Sequence, residues 1–83
     1  MNSGSEAIFE SFSRRRQNLN EALDESRVAI DLWFERQPLP APMAALAHLE
    51  VLLKTRRDLL TQLVALDDEF MDQLIQMRAA GEA

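Results

Sequence analysis

Residues 37–42 read Gln37-Pro38-Leu39-Pro40-Ala41-Pro42, and this stretch decides the fold. Proline has no amide hydrogen, and its ring collides with the preceding helical turn. It also drives the residue before it toward extended backbone. Three prolines at alternate positions therefore stop any helix that enters. The chain has no other proline, and its only glycines are Gly4 and Gly81. The segments on either side are free to run as long helices, and folding one back on the other is the simplest compact solution.

Upstream of the prolines, Phe12, Leu19, Ala22, Leu23, Ser26, Ala29, Ile30 and Trp33 recur in helical steps and form the expected inner stripe. Ser5 suits an N-cap, Ile8 and Phe9 open the apolar face, and the helix is expected over about 5–36, after a disordered end at 1–4. Downstream, Pro42 suits the first helical position, where its missing amide costs nothing. The second stripe reads Leu46, Leu49, Leu53, Leu60, Leu63, Phe70, Leu74 and Met77, widened on one side by Leu52, Leu59 and Leu66. That helix is expected over about 42–79, with Gly81 as its terminator and a disordered end at 80–83. At ~1.5 Å per residue each helix is on the order of 45–55 Å long. Neither segment alternates as a strand does, and no motif repeats. The whole chain reads as a single all-α helical-hairpin domain with a Pro-rich linker at 37–42.

Charge supports the same topology. Folding at the linker brings residues whose numbers add to about 79–83 to one level. Arg14, Arg15 and Arg16 then face Asp67, Asp68 and Glu69, while Glu21, Asp24 and Glu25 face Lys54, Arg56 and Arg57. Asp31 falls near His48. Exposed pairs contribute only ~0–1 kcal/mol each, so their expected role is register and orientation.

Eighty-three residues with no cysteine and one histidine leave few ways to reinforce a small core. A chain this short buries only about 60% of its unfolded surface, and disulfides and thiolate metal sites are excluded. A partner chain is the remaining reinforcement. The stripes are also too wide for one two-helix seam: Val64, Met71 and Ile75 extend the second, and Val28, Ile30, Leu32, Trp33 and Phe34 point almost all round the first. The expected assembly is a homodimer, two antiparallel hairpins pairing into a four-helix bundle.

The net charge of −5 argues against nucleic-acid and anionic-membrane partners. No apolar run reaches the ~20 residues of a bilayer span. The sequence Met-Asn-Ser-Gly-Ser-Glu lacks the basic and apolar regions of a signal peptide, so a soluble, cytoplasmic protein is expected.

Catalytic signatures are sparse. His48 has no cysteine to activate, and Ala45 stands where a Glu-x-x-His motif needs its glutamate. Glu21 with Glu25 and Asp68 with Asp72 are spaced like the Mg²⁺-binding acidic helices of all-α nucleotide pyrophosphohydrolases, but lie several turns apart in a hairpin. Arg16, Arg27, Arg56 and Arg57 invite comparison with the all-α chorismate mutases, although Lys54 is the only lysine and a third helix is missing. No phosphate loop occurs. No enzyme, cofactor or metal is expected.

The stretch Leu46–Met77, with its Leu-Leu-x-x-Arg-Arg-x-Leu-Leu rhythm at 52–60, resembles the small helical chaperones of flagellar and type III export systems. That resemblance implies an acidic hairpin or bundle that holds an amphipathic helix of a client. From its apolar flank the chain is expected to be a small adaptor, assembly factor or chaperone that buries a partner helix in an apolar groove. A purely structural, oligomerising subunit is the second reading and a small all-α enzyme the third. Val28, Leu32, Trp33, Phe34, Leu39 and Met43 are the expected contact residues near the hairpin tip, followed by Phe70 and Met71. Aromatic side chains dominate binding hot spots, and methionine adapts to varied partners.

Overall fold

The computed structural model describes the backbone of residues 3–82 and the side chains of residues 6–81. Two helices account for nearly all of it, α1 (Ser3–Arg36) and α2 (Met43–Glu82), and there is no strand among the described residues. They fold back on each other as an antiparallel hairpin. The chain measures 63 × 17 × 13 Å with a radius of gyration of 18.9 Å, against about 12 Å for a compact domain of this length.

The elbow works as proline chemistry dictates. The backbone leaves α1 at Arg36, with the Gln37 amide still bonded to the Trp33 carbonyl, and re-enters a helix at Met43. The Pro42 carbonyl accepts the amides of Ala45 and Leu46, so Pro42 opens the first turn. The Leu39–Pro40 peptide is cis. Across the elbow, Trp33 donates its Nε1 hydrogen to the Ala45 carbonyl at 3.0 Å, tying the last turn of α1 to the first of α2.

Helix ends differ from the sequence reading. Ser5 lies within α1, which starts at Ser3, so it is no cap. Residues 3 and 4 of the expected N-terminal disorder are helical, while Met1 and Asn2 lie outside the described residues. At the other end α2 continues through Ala80 and Gly81 to Glu82, with no positive φ at Gly81. Without the left-handed turn that a glycine C-cap provides, Gly81 is one more helical residue. Residues 80–82 of the expected C-terminal disorder are helical, and Ala83 lies outside the described residues.

Burial shows which stripe forms the seam. On α2 the sheltered positions are Ala45, Leu49, Leu52, Arg56, Leu59, Leu63, Leu66, Phe70, Gln73 and Met77, alternating in steps of four and three. That is the 3.5-residue period of a left-handed supercoil. On α1 the matching seam is Phe12, Leu19, Ala22, Ser26, Ala29 and Trp33. Phe12 at 6% exposure and Leu66 at 3% are the most buried apolar residues. Phe70 lies between Phe12, 4.3 Å away between ring centroids, and Phe9 at 5.4 Å. The expected α2 stripe is therefore rotated by one column: Leu46, Leu53, Leu60 and Leu74 are exposed, and Leu52, Leu59 and Leu66 stand in the seam beside Leu49 and Leu63.

Candidate interaction surface

A two-stranded antiparallel seam has two long edges, each lined by one column from each helix. Here the two edges differ in kind. On the first, α1 contributes Phe9, Arg16, Leu23, Ile30 and Gln37, and α2 contributes Leu46, Leu53, Leu60, Asp67 and Leu74. The register is fixed by an ion pair. Arg16 donates from Nε to Asp67 Oδ1 at 3.1 Å and from Nη2 to Oδ2 at 3.3 Å. Stepping by seven residues from that pair makes a ladder of rungs, in order from the elbow Gln37–Leu46, Ile30–Leu53, Leu23–Leu60, Arg16–Asp67 and Phe9–Leu74. Ile30 and Leu53 accordingly line one surface hollow, together with Arg27, Asp31 and Arg56. Phe9, Leu46, Leu53, Leu60 and Leu74 are exposed along this edge. The next column of α2 is mixed, with Met43, Val64 and Met71 exposed alongside the charged Glu50 and Arg57.

The second edge is polar. Its columns are Ser11, Asn18, Glu25 and Leu32 from α1 and His48, Thr55, Gln62, Glu69 and Gln76 from α2. Asn18 and Gln62 meet in one hollow, Ser11 and Glu69 in another. Arg15 bonds Glu69 at 3.1 Å on this side, with its guanidinium carbon 5.4 Å from the centroid of the Phe12 ring.

The charge blocks divide. The first forms across the helices, through Arg15–Glu69 and Arg16–Asp67. The Asp67 hydrogen bond raises the pKa of Arg16 above its ordinary value, so the guanidinium holds its charge firmly. The second block does not form across the helices. Arg27 takes Asp24 and Asp31, Lys54 takes Glu50, and Arg57 lies nearest Asp58, each within its own helix. Asp24, Asp31 and Glu50 lie three or four residues from their partners on a shared helix face, and Asp58 is the chain neighbour of Arg57, so none of these pairs needs tertiary register. Asp31 is therefore held by Arg27, and the expected Asp31–His48 pairing is absent. Arg56 occupies a seam position opposite the small residues Ala22, Ser26 and Ala29, and among the described residues it makes no ion pair.

The residues expected to form one contact patch separate. Trp33 is half-buried and bonded to Ala45, so it braces the elbow, with Phe34 edge-on to it at 5.1 Å. Val28 and Leu32 fall on the polar side of the hairpin. Phe34 and Met43 flank the apolar edge near the tip, and Leu39 projects from the linker. Leu39 and Met43, at 79% and 80% exposure, are the most exposed of the large apolar residues. Phe70 is seam packing, whereas Met71 is exposed. The leucine edge at 46, 53, 60 and 74, broken by Asp67, was missed as a contact surface. Its signal in the sequence is the seven-residue recurrence of leucine beside a second leucine column.

Among the described residues no three His, Asp or Glu side chains converge as a metal site would require, and no helix is long and apolar enough to cross a membrane. The chain matches no protein-family model, and comparisons with curated proteins and with solved structures find no match.

Proposed function

We propose that this protein is a non-enzymatic interaction module that acts by packing the apolar edge of its hairpin against other helices. The observation that carries this reading is the one-sidedness of the seam. One edge presents Phe9, Leu46, Leu53, Leu60 and Leu74 to solvent, whereas the opposite edge is polar. An exposed apolar strip of this kind, interrupted by the Arg16–Asp67 pair, marks a surface meant to be covered. A second hairpin covers it, giving a dimeric four-helix bundle. The exposed side chains of Phe34, Leu39 and Met43 near the tip then remain for a helix of another protein, as in an adaptor or assembly factor.

The reading as a purely structural subunit shares the apolar edge but leaves the tip without a task. Sedimentation at several concentrations, with Leu53→Glu alongside, tests the edge. The expected result is a dimer for the native chain and at least about tenfold weaker association for Leu53→Glu, because a carboxylate is costly to bury in an apolar contact. A native chain that stays monomeric at tens of micromolar overturns the proposal. For the tip, Phe34→Ala with Met43→Ala should abolish co-purification of a specific partner from the native host while the dimer persists. Retention of the same partner by that variant removes the tip from the adaptor reading.

A further inference from the structure

We infer that the second copy docks on the apolar edge with both proline elbows at the same end of the bundle. In that arrangement the Arg16–Asp67 pair of one hairpin meets the same pair of its partner in a ring of four alternating charges. This rests on the self-association proposed above and adds its orientation.

Two identical hairpins joined by a twofold axis bury the same surface on each. The axis runs either along the helices, with elbows together, or across them, with elbows apart. Both choices make neighbouring helices antiparallel, so backbone packing does not decide between them. The order of the ladder does. Its one charged rung, Arg16–Asp67, is off-centre, fourth from the elbow, and the rungs Leu23–Leu60 and Phe9–Leu74 beside it are apolar.

With the elbows together, every rung faces its own copy. Phe9 and Leu74 meet the same residues of the partner, as do Leu23 with Leu60 and Ile30 with Leu53. Because α1 of one hairpin then lies over α2 of the other, Arg16 faces the partner's Asp67, and Asp67 faces the partner's Arg16. Each carboxylate lies between two guanidinium groups. With the elbows apart and the hairpins fully overlapped, the charged rung instead falls on Ile30–Leu53 or Leu23–Leu60. It is then desolvated against leucine with nothing gained in return. Sliding the opposed hairpins until the charged rung meets its copy leaves Ile30–Leu53 and Gln37–Leu46 uncovered. Only the same-end arrangement satisfies the ion pair and covers the whole edge. A face of 63 by 17 Å offers about 1,000 Å², enough for the ~800 Å² that each partner contributes to a standard interface. The pair is half-exposed in the single hairpin, so it is available to a second partner.

Pulsed electron–electron resonance tests the orientation, and the absence of native cysteine makes single-site labelling clean. Ala44 is exposed in the first turn of α2 and faces away from the apolar edge. Nitroxide on Ala44→Cys should give an inter-chain distance of roughly 20–35 Å, set by the diagonal of a bundle with ~8–10 Å between neighbouring axes. Opposed elbows would separate the labels by about 50 Å or more. That result, in a sample that sediments as a dimer, overturns the orientation and leaves the dimer standing. A sample that sediments as a monomer overturns both.

Charge reversal gives a second readout. Arg16→Asp and Asp67→Arg should each weaken the homodimer at least about tenfold, by placing like charges together. Combining both changes in one chain should restore it. An equimolar mixture of the two single variants should form the heterodimer in preference to either homodimer. Native-like homodimers from both single variants would rule out the four-charge ring.

Discussion

Ser26 is the residue that most plainly trades stability for geometry. It stands in the α1 seam with its hydroxyl buried and no protein group bonded to it. A buried hydroxyl without a partner forfeits its hydration and receives nothing back, a cost of about 1–3 kcal/mol. Its small size is what the position needs, because Ala22, Ser26 and Ala29 form a flat strip on which the stem of Arg56 can lie. Alanine keeps the size and removes the hydroxyl, and it is also the better helix former. Ser26→Ala should therefore raise stability by about 1 kcal/mol, read as a higher urea midpoint with an unchanged slope. A lower midpoint would show that the hydroxyl has a partner in solution. Trp33 presents the opposite case, a large side chain with its polar hydrogen satisfied by Ala45. Trp33 thus braces the elbow within its own chain, and Phe34, Leu39 and Met43 are the exposed apolar side chains beside it.

At the scale of the element, α2 carries two adjacent leucine columns, and only one of them packs on α1. Leu66 is 3% exposed and Val51, on the back of the helix, is 60% exposed. Leu66→Ala should cost about 2–5 kcal/mol through a lost contact and a residual cavity. Val51→Ala should shift stability by no more than about 0.5 kcal/mol. Comparable losses from the two in chemical denaturation would mean that α2 is rotated from the orientation described. The rotation was the part of the fold that hydropathy could not read. Leu46, Leu53, Leu60 and Leu74 look more like a core than the column that includes Arg56 and Gln73, yet the latter faces α1. Apolar pattern gives the width of a stripe and not its centre when the width exceeds one seam. The Arg16–Asp67 and Arg15–Glu69 pairs carry the missing information. Their blocks were legible as complements, and the register they imply was recovered. The second set of charges misled because Arg27, Lys54 and Arg57 find acids on their own helices. The two helices and the elbow were legible for a simpler reason: three clustered prolines leave no other outcome. Gly81 was misread because a lone glycine ends a helix only where the backbone turns left-handed, and here it does not.

The whole molecule is a rod whose interior is almost all seam. Among the described residues only Phe12, Ser26 and Leu66 are deeply buried, and exposed apolar side chains run from Phe9 to Ile75. A single layer of contacts between two helices is little to set against the conformational entropy of ordering some eighty residues. On the proposed reading, the same shape that leaves the apolar edge open makes association part of folding. If the native state is a dimer and the unfolded state is single chains, mass action ties the melting temperature to concentration. Each tenfold increase in protein adds about 1.4 kcal/mol to the dimer. For two chains melting together, that should raise the midpoint by roughly 3–6 °C, given the per-residue unfolding entropy of globular proteins. Thermal scans by circular dichroism from one to one hundred micromolar would read this directly, with the Leu53→Glu variant as control. The native midpoint should climb with concentration, and the variant should melt lower with a flatter dependence. A midpoint independent of concentration would mean that the hairpin sustains itself alone. The leucine edge would then require a partner other than a second copy of this chain.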